Sequence, residues 1–226
     1  RNNSKIPGDI FSGDLISTDK VKGVSNNVFN HPGLWKKIAI NNHYNKEQFA
    51  SLSKLTRLIN APASNEVHSN LSEILDMEYW GRFAAFETLA QTFHFDNTHN
   101  WKLYYDPALS KFIPIVWDPM AWNENWRPNN NNKGLIDLDI IASKFHLRLI
   151  QNGDFLRARH AAIMNFFGSG LDKVFLKEVE HLIKTMRGSL YMDPGLGLLT
   201  NRKGDSMQNP RNAVLLQHKL LKNIKD

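Results

Sequence analysis

The apolar positions change period along the chain, and each change predicts an element. From Lys46 onward Phe49, Leu52, Leu55, Leu58 and Ile59 recur at helical spacing, and Asn60-Ala61-Pro62 ends the run. A second helical stretch, Glu66 to Leu75, leads into a third. Asp76 is placed to cap that third helix by accepting from its early backbone N–H groups. Along it Tyr79, Trp80, Phe83, Phe86, Leu89 and Phe93 form a broad apolar face, which predicts a core helix. The period then falls to two. Trp101 to Tyr105 and Phe112 to Trp117 flank the turn-forming Asp106-Pro107-Ala108-Leu109-Ser110-Lys111, the pattern of a hairpin over about 101–117. Pro114 lacks an N–H for a ladder and therefore needs an edge or a bulge.

Helical spacing returns in Leu138 to Ile150, Asp154 to Phe167, Leu171 to Tyr191 and Asn212 to Ile224. Gly153, Gly168-Ser169-Gly170 and the Gly/Pro-rich run from Asp193 to Gly197 separate these stretches. Between hairpin and helices lies an Asn-rich stretch, Asn123 to Gly134, whose low complexity predicts a mobile loop. Before Lys46 the chain is punctuated by Gly8, Gly13, Gly23, Asn26-Asn27 and His31-Pro32-Gly33, which predict short strands and turns. The expected fold class is α+β, mainly α, with a central β-hairpin packed among helices. Residues 1–45 are expected to be the remnant or edge of an upstream lobe, and 46–226 a helical lobe carrying the hairpin.

Composition narrows this picture only modestly. At 226 residues and 42% hydrophobic content the chain can bury one substantial core, so one compact unit is expected. It opens on Arg1 with no apolar run in its first thirty residues, so we expect a piece of a longer protein with no signal peptide or membrane anchor in view. No stretch approaches the roughly 18 apolar residues of a spanning helix. With no cysteine there is no disulfide framework and no thiolate metal site. The net charge of +6 is scattered over lysines and arginines without interleaved aromatics, which argues against a nucleic-acid partner.

Candidate chemistry is concentrated in His94-Phe95-Asp96-Asn97-Thr98-His99-Asn100, the hairpin, and Val116-Trp117-Asp118. A helix delivers an Asp and then an Asn, a hairpin returns the chain, and a second Asp follows the last strand. That order of parts resembles the catalytic lobe of a protein kinase. Phosphoryl transfer needs a carboxylate beside the acceptor hydroxyl and oxygen ligands that hold Mg²⁺ against phosphates. Mg²⁺ takes one or two carboxylates plus waters and phosphate oxygens, so Asp118 with Asn100 is a chemically adequate set. The spacing departs from the ordinary kinase signature: Asn100 follows Asp96 by four residues, where that signature has five. The local alternative is that Asp96 and Asn97 simply turn the chain, as Asp and Asn commonly do.

The run Asp76 to Trp122, above all Phe95-Asp96-Asn97-Thr98-His99-Asn100-Trp101-Lys102-Leu103-Tyr104-Tyr105-Asp106-Pro107 and Ile115-Val116-Trp117-Asp118, resembles the spore-coat CotH kinase family. A looser likeness extends from about Trp35 to Met192. The resemblance implies an atypical protein-kinase-like lobe, ATP with Mg²⁺ or another divalent cation, and phosphorylation of Ser or Thr on proteins, often secreted, cell-surface or coat proteins. By position it assigns Asp96 as the catalytic Asp, Asn100 as the Asn before the strand, and Asp118 as the metal-binding Asp. Members commonly carry a second acid two residues beyond the Trp-Asp pair, where this chain has Met120. An upstream lysine that would position ATP is not recognisable. These departures keep open a noncatalytic coat or surface assembly module with the same fold.

Other polar candidates point to structure. His94 and His99 lack the third and fourth convergent ligands of a zinc site, and His160 and His181 fall within helices. Trp117 is expected in the core and Trp122 and Trp126 as anchors of the loop. Glu178 and Glu180 lie on an ordinary solvated helix face.

Overall fold

A computed structural model describes residues 8–15, 23, 26–38, 49–119 and 138–192. The chain divides into two units, 1–163 and 164–226, where composition suggested one. The first holds a four-stranded antiparallel sheet with helices and the aromatic core. The strands are β1 (Asp9–Gly13), β2 (Lys36–Lys37), β3 (Trp101–Asp106) and β4 (Lys111–Ile115), in the order β2-β1-β3-β4. The central hairpin is therefore half of a sheet whose other half comes from the first forty residues. Phe11 pairs with Leu103, and Gly13 with Trp101. Across the hairpin Leu103 faces Pro114, which occupies the edge strand as its missing N–H requires.

The helices are α1 (Ala50–Asn60), α2 (Asn65–Ile74), α3 (Met77–Ala90), α4 (Lys144–Ile150), α5 (Gly153–Gly168) and α6 (Leu171–Met192). Asp76 caps α3, its carboxylate accepting from Tyr79 N at 3.3 Å. Ser64 and Ser143 cap α2 and α4 in the same way. Helix α4 begins six residues later than its apolar pattern suggested, because Ser143 takes the cap and 138–142 stay outside the helix. On α3 the buried face is Trp80, Phe83, Ala84, Ala85, Glu87 and Thr88, while Tyr79 is exposed, contrary to the face expected from aromatic spacing. Gly81 lets α3 cross the backbone of α5 closely: a Cβ there would stand 2.5 Å from the carbonyl carbon of Ala158.

The core of the first unit is aromatic. Phe29, Trp80, Trp101 and Phe145 are fully buried and meet at ring-centroid distances of 4.9–6.4 Å, in largely edge-on or tilted arrangements that suit ring quadrupoles. The indole of Trp80 donates to the Phe112 carbonyl at 2.9 Å, and Asp76 N donates to the same oxygen at 3.1 Å, which ties the start of α3 to β4. In the second unit Phe166 packs on Phe167 and Phe175, and Glu178 and Glu180 are exposed as their pattern implied. The Asn-rich loop, Met120, Trp122, Trp126 and the helical pattern of Asn212 to Ile224 lie outside the described residues. Among the described residues no helix is long and apolar enough to cross a membrane.

Candidate functional site

Helix α3 stops at Ala90 because Gln91 turns left-handed, with φ 48°. The chain then continues without helix or strand to Asp96, so the helix ends five residues earlier than the position of Asp96 suggested. Phe95 is buried against Phe83 and Trp101 and anchors this stretch to the core. The Trp101 indole donates to the Asp96 carbonyl at 2.6 Å.

Asp96 Oδ1 accepts three hydrogen bonds, from Thr98 N at 2.6 Å, Thr98 Oγ1 at 2.8 Å and His99 N at 3.1 Å. One carboxylate oxygen thus closes the turn, as the local alternative supposed. The second oxygen takes part in none of these bonds, and the side chain is about one-third exposed. His99 Nδ1 lies 3.1 Å from Oδ1 but is not aligned as a hydrogen bond. The same turn is pinned from outside. Asn97 Oδ1 accepts from Asn27 Nδ2 and Lys144 N, the Asn97 carbonyl from Val28 N, and the Thr98 carbonyl from Leu15 N.

Asn100 is buried and left-handed, with φ 68°. Its Nδ2 donates to the His94 carbonyl at 3.1 Å and lies 2.9 and 3.1 Å from the two ring nitrogens of His94. A donor aimed at one lone pair approaches one nitrogen, so near-equal distances place the amide over the imidazole face, an N–H to π contact. This arrangement uses the NH₂ end of the carboxamide, and Oδ1 takes part in none of these contacts.

Asp118 follows β4 by three residues and is also left-handed, with φ 45°. Its carbonyl lies 2.7 Å from His94 Nδ1. Because a carbonyl only accepts, Nδ1 carries the proton in this arrangement. One residue on, the Pro119 carbonyl accepts from Thr92 Oγ1. Strung through His94, the Asn100 amide nitrogen and the Asp118 carbonyl oxygen stand at most about 5.6 Å apart. The Asp118 carboxylate is exposed and has no hydrogen-bond or ion-pair partner among the described residues. A free carboxylate and a side-chain amide oxygen are donors that a hard divalent cation accepts when phosphate and water oxygens complete its shell, while among the described residues no three His, Asp or Glu side chains gather to hold a metal ion by themselves.

Trp117 was expected in the core and is instead 52% exposed, because β4 ends at Ile115 and the chain leaves the sheet before the indole. The Lys102 ammonium sits 4.7 Å from its ring centroid. Sequence reasoning weighed His94 as a metal ligand, and missed that it bridges Asn100 and Asp118. The available signal was its place two residues before Asp96 and six before Asn100. Thr92 carried no signal of its own.

No curated protein matches the chain. A family model described as "CotH kinase protein" matches residues 10–195, which takes in the sheet, the loop of Asp96 and Asn100, Asp118 and helices α1 to α6. The chain therefore belongs to the CotH kinase family.

Proposed function

We propose that this chain transfers the γ-phosphate of ATP to a Ser or Thr hydroxyl of a protein, with a coat or surface protein as the acceptor class. The observation that supports this reading is the string Asn100–His94–Asp118, in which one histidine ring meets the Asn100 amide nitrogen and the backbone carbonyl of Asp118, so that the two residues stand on either side of one side chain. ATP with Mg²⁺ or a similar cation would be held by Asp118 and by Asn100 Oδ1. In the transfer the acceptor oxygen bonds to the γ-phosphorus, the bond to the β,γ-bridging oxygen breaks, and ADP leaves. The hydroxyl proton passes to the Asp96 oxygen that does not close the turn. In this reading 46–226 is a kinase-like catalytic lobe, and 1–45 is the edge of an upstream lobe whose strands have joined its sheet.

A second reading, a noncatalytic coat or surface assembly module, is favoured by Asp96 itself, whose Oδ1 is committed to three loop donors. Transfer of radiolabel from γ-labelled ATP to the chain itself and to casein separates the two. Asp118→Asn removes the free carboxylate and should abolish transfer and weaken Mg²⁺-dependent ATP binding. Asp96→Asn should slow transfer by about 10²-fold or more with little change in nucleotide affinity. Full transfer by Asp118→Asn across a Mg²⁺ titration would remove the site.

A further inference from the structure

The sheet face turned away from the aromatic core carries Ser12 of β1 beside Lys102 of β3, which are cross-strand partners. Lys102 Nζ donates to Ser12 Oγ at 2.8 Å and lies over the Trp117 ring. Ser12 is buried, so the ammonium hangs from a fixed point. Its two partners are both neutral. Trp117, by contrast, is half exposed and lies beyond the last ladder pair of β4, so neither burial nor sheet hydrogen bonds hold the indole.

Resting on the reading of Asp118 as a cation ligand, we propose that Lys102 is a positioning residue for Asp118, acting through a cation–π clamp on Trp117. The link is covalent and short. The peptide plane between Trp117 and Asp118 is set by ψ of the first and φ of the second, and φ of Asp118 is 45°, a conformation L-residues with a Cβ rarely hold unaided. His94 holds the far end of Asp118 by its carbonyl, and Lys102 holds the near end by the preceding indole. Two anchors on opposite sides of one residue fix the direction of its Cα–Cβ bond, and with it the region its carboxylate can reach. With only one, that side chain samples several directions and the cation must select among them. The clamp ties strand β1 to the site, because Ser12 sets where the ammonium sits.

The test measures the Mg²⁺ concentration needed for half-maximal ATP binding, together with the ¹⁹F shift of Trp117 in 5-fluorotryptophan-labelled chain, assigned with Trp117→Phe. Lys102→Met is expected to raise that Mg²⁺ concentration by about two- to fivefold, the factor a half-exposed cation–π contact supports. It should also move the Trp117 resonance. Lys102→Arg, which keeps a cation over the ring, should restore most of both. Trp117→Ala should reproduce the Mg²⁺ effect, and the Lys102→Met/Trp117→Ala double variant should be no worse than Trp117→Ala alone. A Lys102→Met chain with wild-type Mg²⁺ dependence, or effects that add in the double variant, overturns the proposal. Should Lys102→Met fail to fold, Ser12→Ala keeps the charge and releases its anchor, and an unmoved Trp117 resonance there overturns it equally. Asp118→Asn run alongside separates the failures: if it binds Mg²⁺ and ATP normally, the cation site itself is wrong, whereas a defect there with none in Lys102→Met sinks only the clamp.

Discussion

His94→Ala is the substitution that tests most of the site at once. The ring donates Nδ1–H to the Asp118 carbonyl, offers its face to the Asn100 amide, and is 8% exposed. Its removal deletes a hydrogen bond worth about 1 kcal/mol net and leaves a partly buried carbonyl without its donor. Truncating a buried ring adds a cavity cost, so a stability loss of about 2–3 kcal/mol is expected. Function should fall further than that loss explains at temperatures where the variant stays folded. Releasing Asp118 from a left-handed conformation that is itself unfavourable by about 1–2 kcal/mol lets it relax elsewhere. At about 1.4 kcal/mol per decade, ATP affinity in saturating Mg²⁺ should drop about tenfold. His94→Asn is the informative companion, because its Nδ2 lies the same number of bonds from Cβ as the histidine Nδ1 and can donate to the same carbonyl. Thermal unfolding and titration calorimetry on both variants read the two quantities separately. Wild-type nucleotide affinity in His94→Ala, or a His94→Asn variant no better than His94→Ala, would refute the bridge.

Further outcomes follow from other parts of the chain. Gly81→Ala places a methyl against the Ala158 backbone and Cβ, which no rotamer change can relieve; an overpacking cost of about 1–3 kcal/mol should outweigh the roughly 1 kcal/mol helix-propensity gain, and a lower urea midpoint checks it. Met120→Asp adds an acid two residues beyond Asp118 and should lower the Mg²⁺ concentration for half-maximal phosphate transfer; an unchanged requirement would show that this position does not limit cation binding.

Much of the architecture was legible because it is local. The Asp76 cap, the period-two alternation of the hairpin and the edge position of Pro114 each depend on residues within a few positions of one another. The pairing of β1 with β3 joins residues about ninety positions apart, and no local pattern in a five-residue strand specifies such a partner. Trp117 was misplaced for a related reason: a strand pattern shows alternation but not the residue at which pairing stops. Tyr79 was misplaced because aromatic spacing marks a helix face without saying how wide its contact is, and here small residues, Gly81, Ala84 and Ala85, take the close side. The Asp and Asn of the site could be marked from type and order. The tie between them could not, because it runs through a histidine ring to a backbone carbonyl, and any residue type supplies a backbone carbonyl.

The place of β1 between β2 and β3 also bears on how the protein is made. These strands leave the ribosome before the hairpin that completes their sheet, so until residue 106 has emerged β1 has a free edge on its β3 side, and β2 is only two residues long. Conversely, a chain begun after residue 45 would expose the β3 edge, a row of unpaired N–H and C=O groups with Trp101, Leu103 and Tyr105 on one face. It would also lose Leu15, Asn27 and Val28, which hold the Asp96 turn from outside. Aggregation of such a truncation would reflect that open edge, since Asp96, Asn100 and Asp118, proposed for the chemistry, would all still be present.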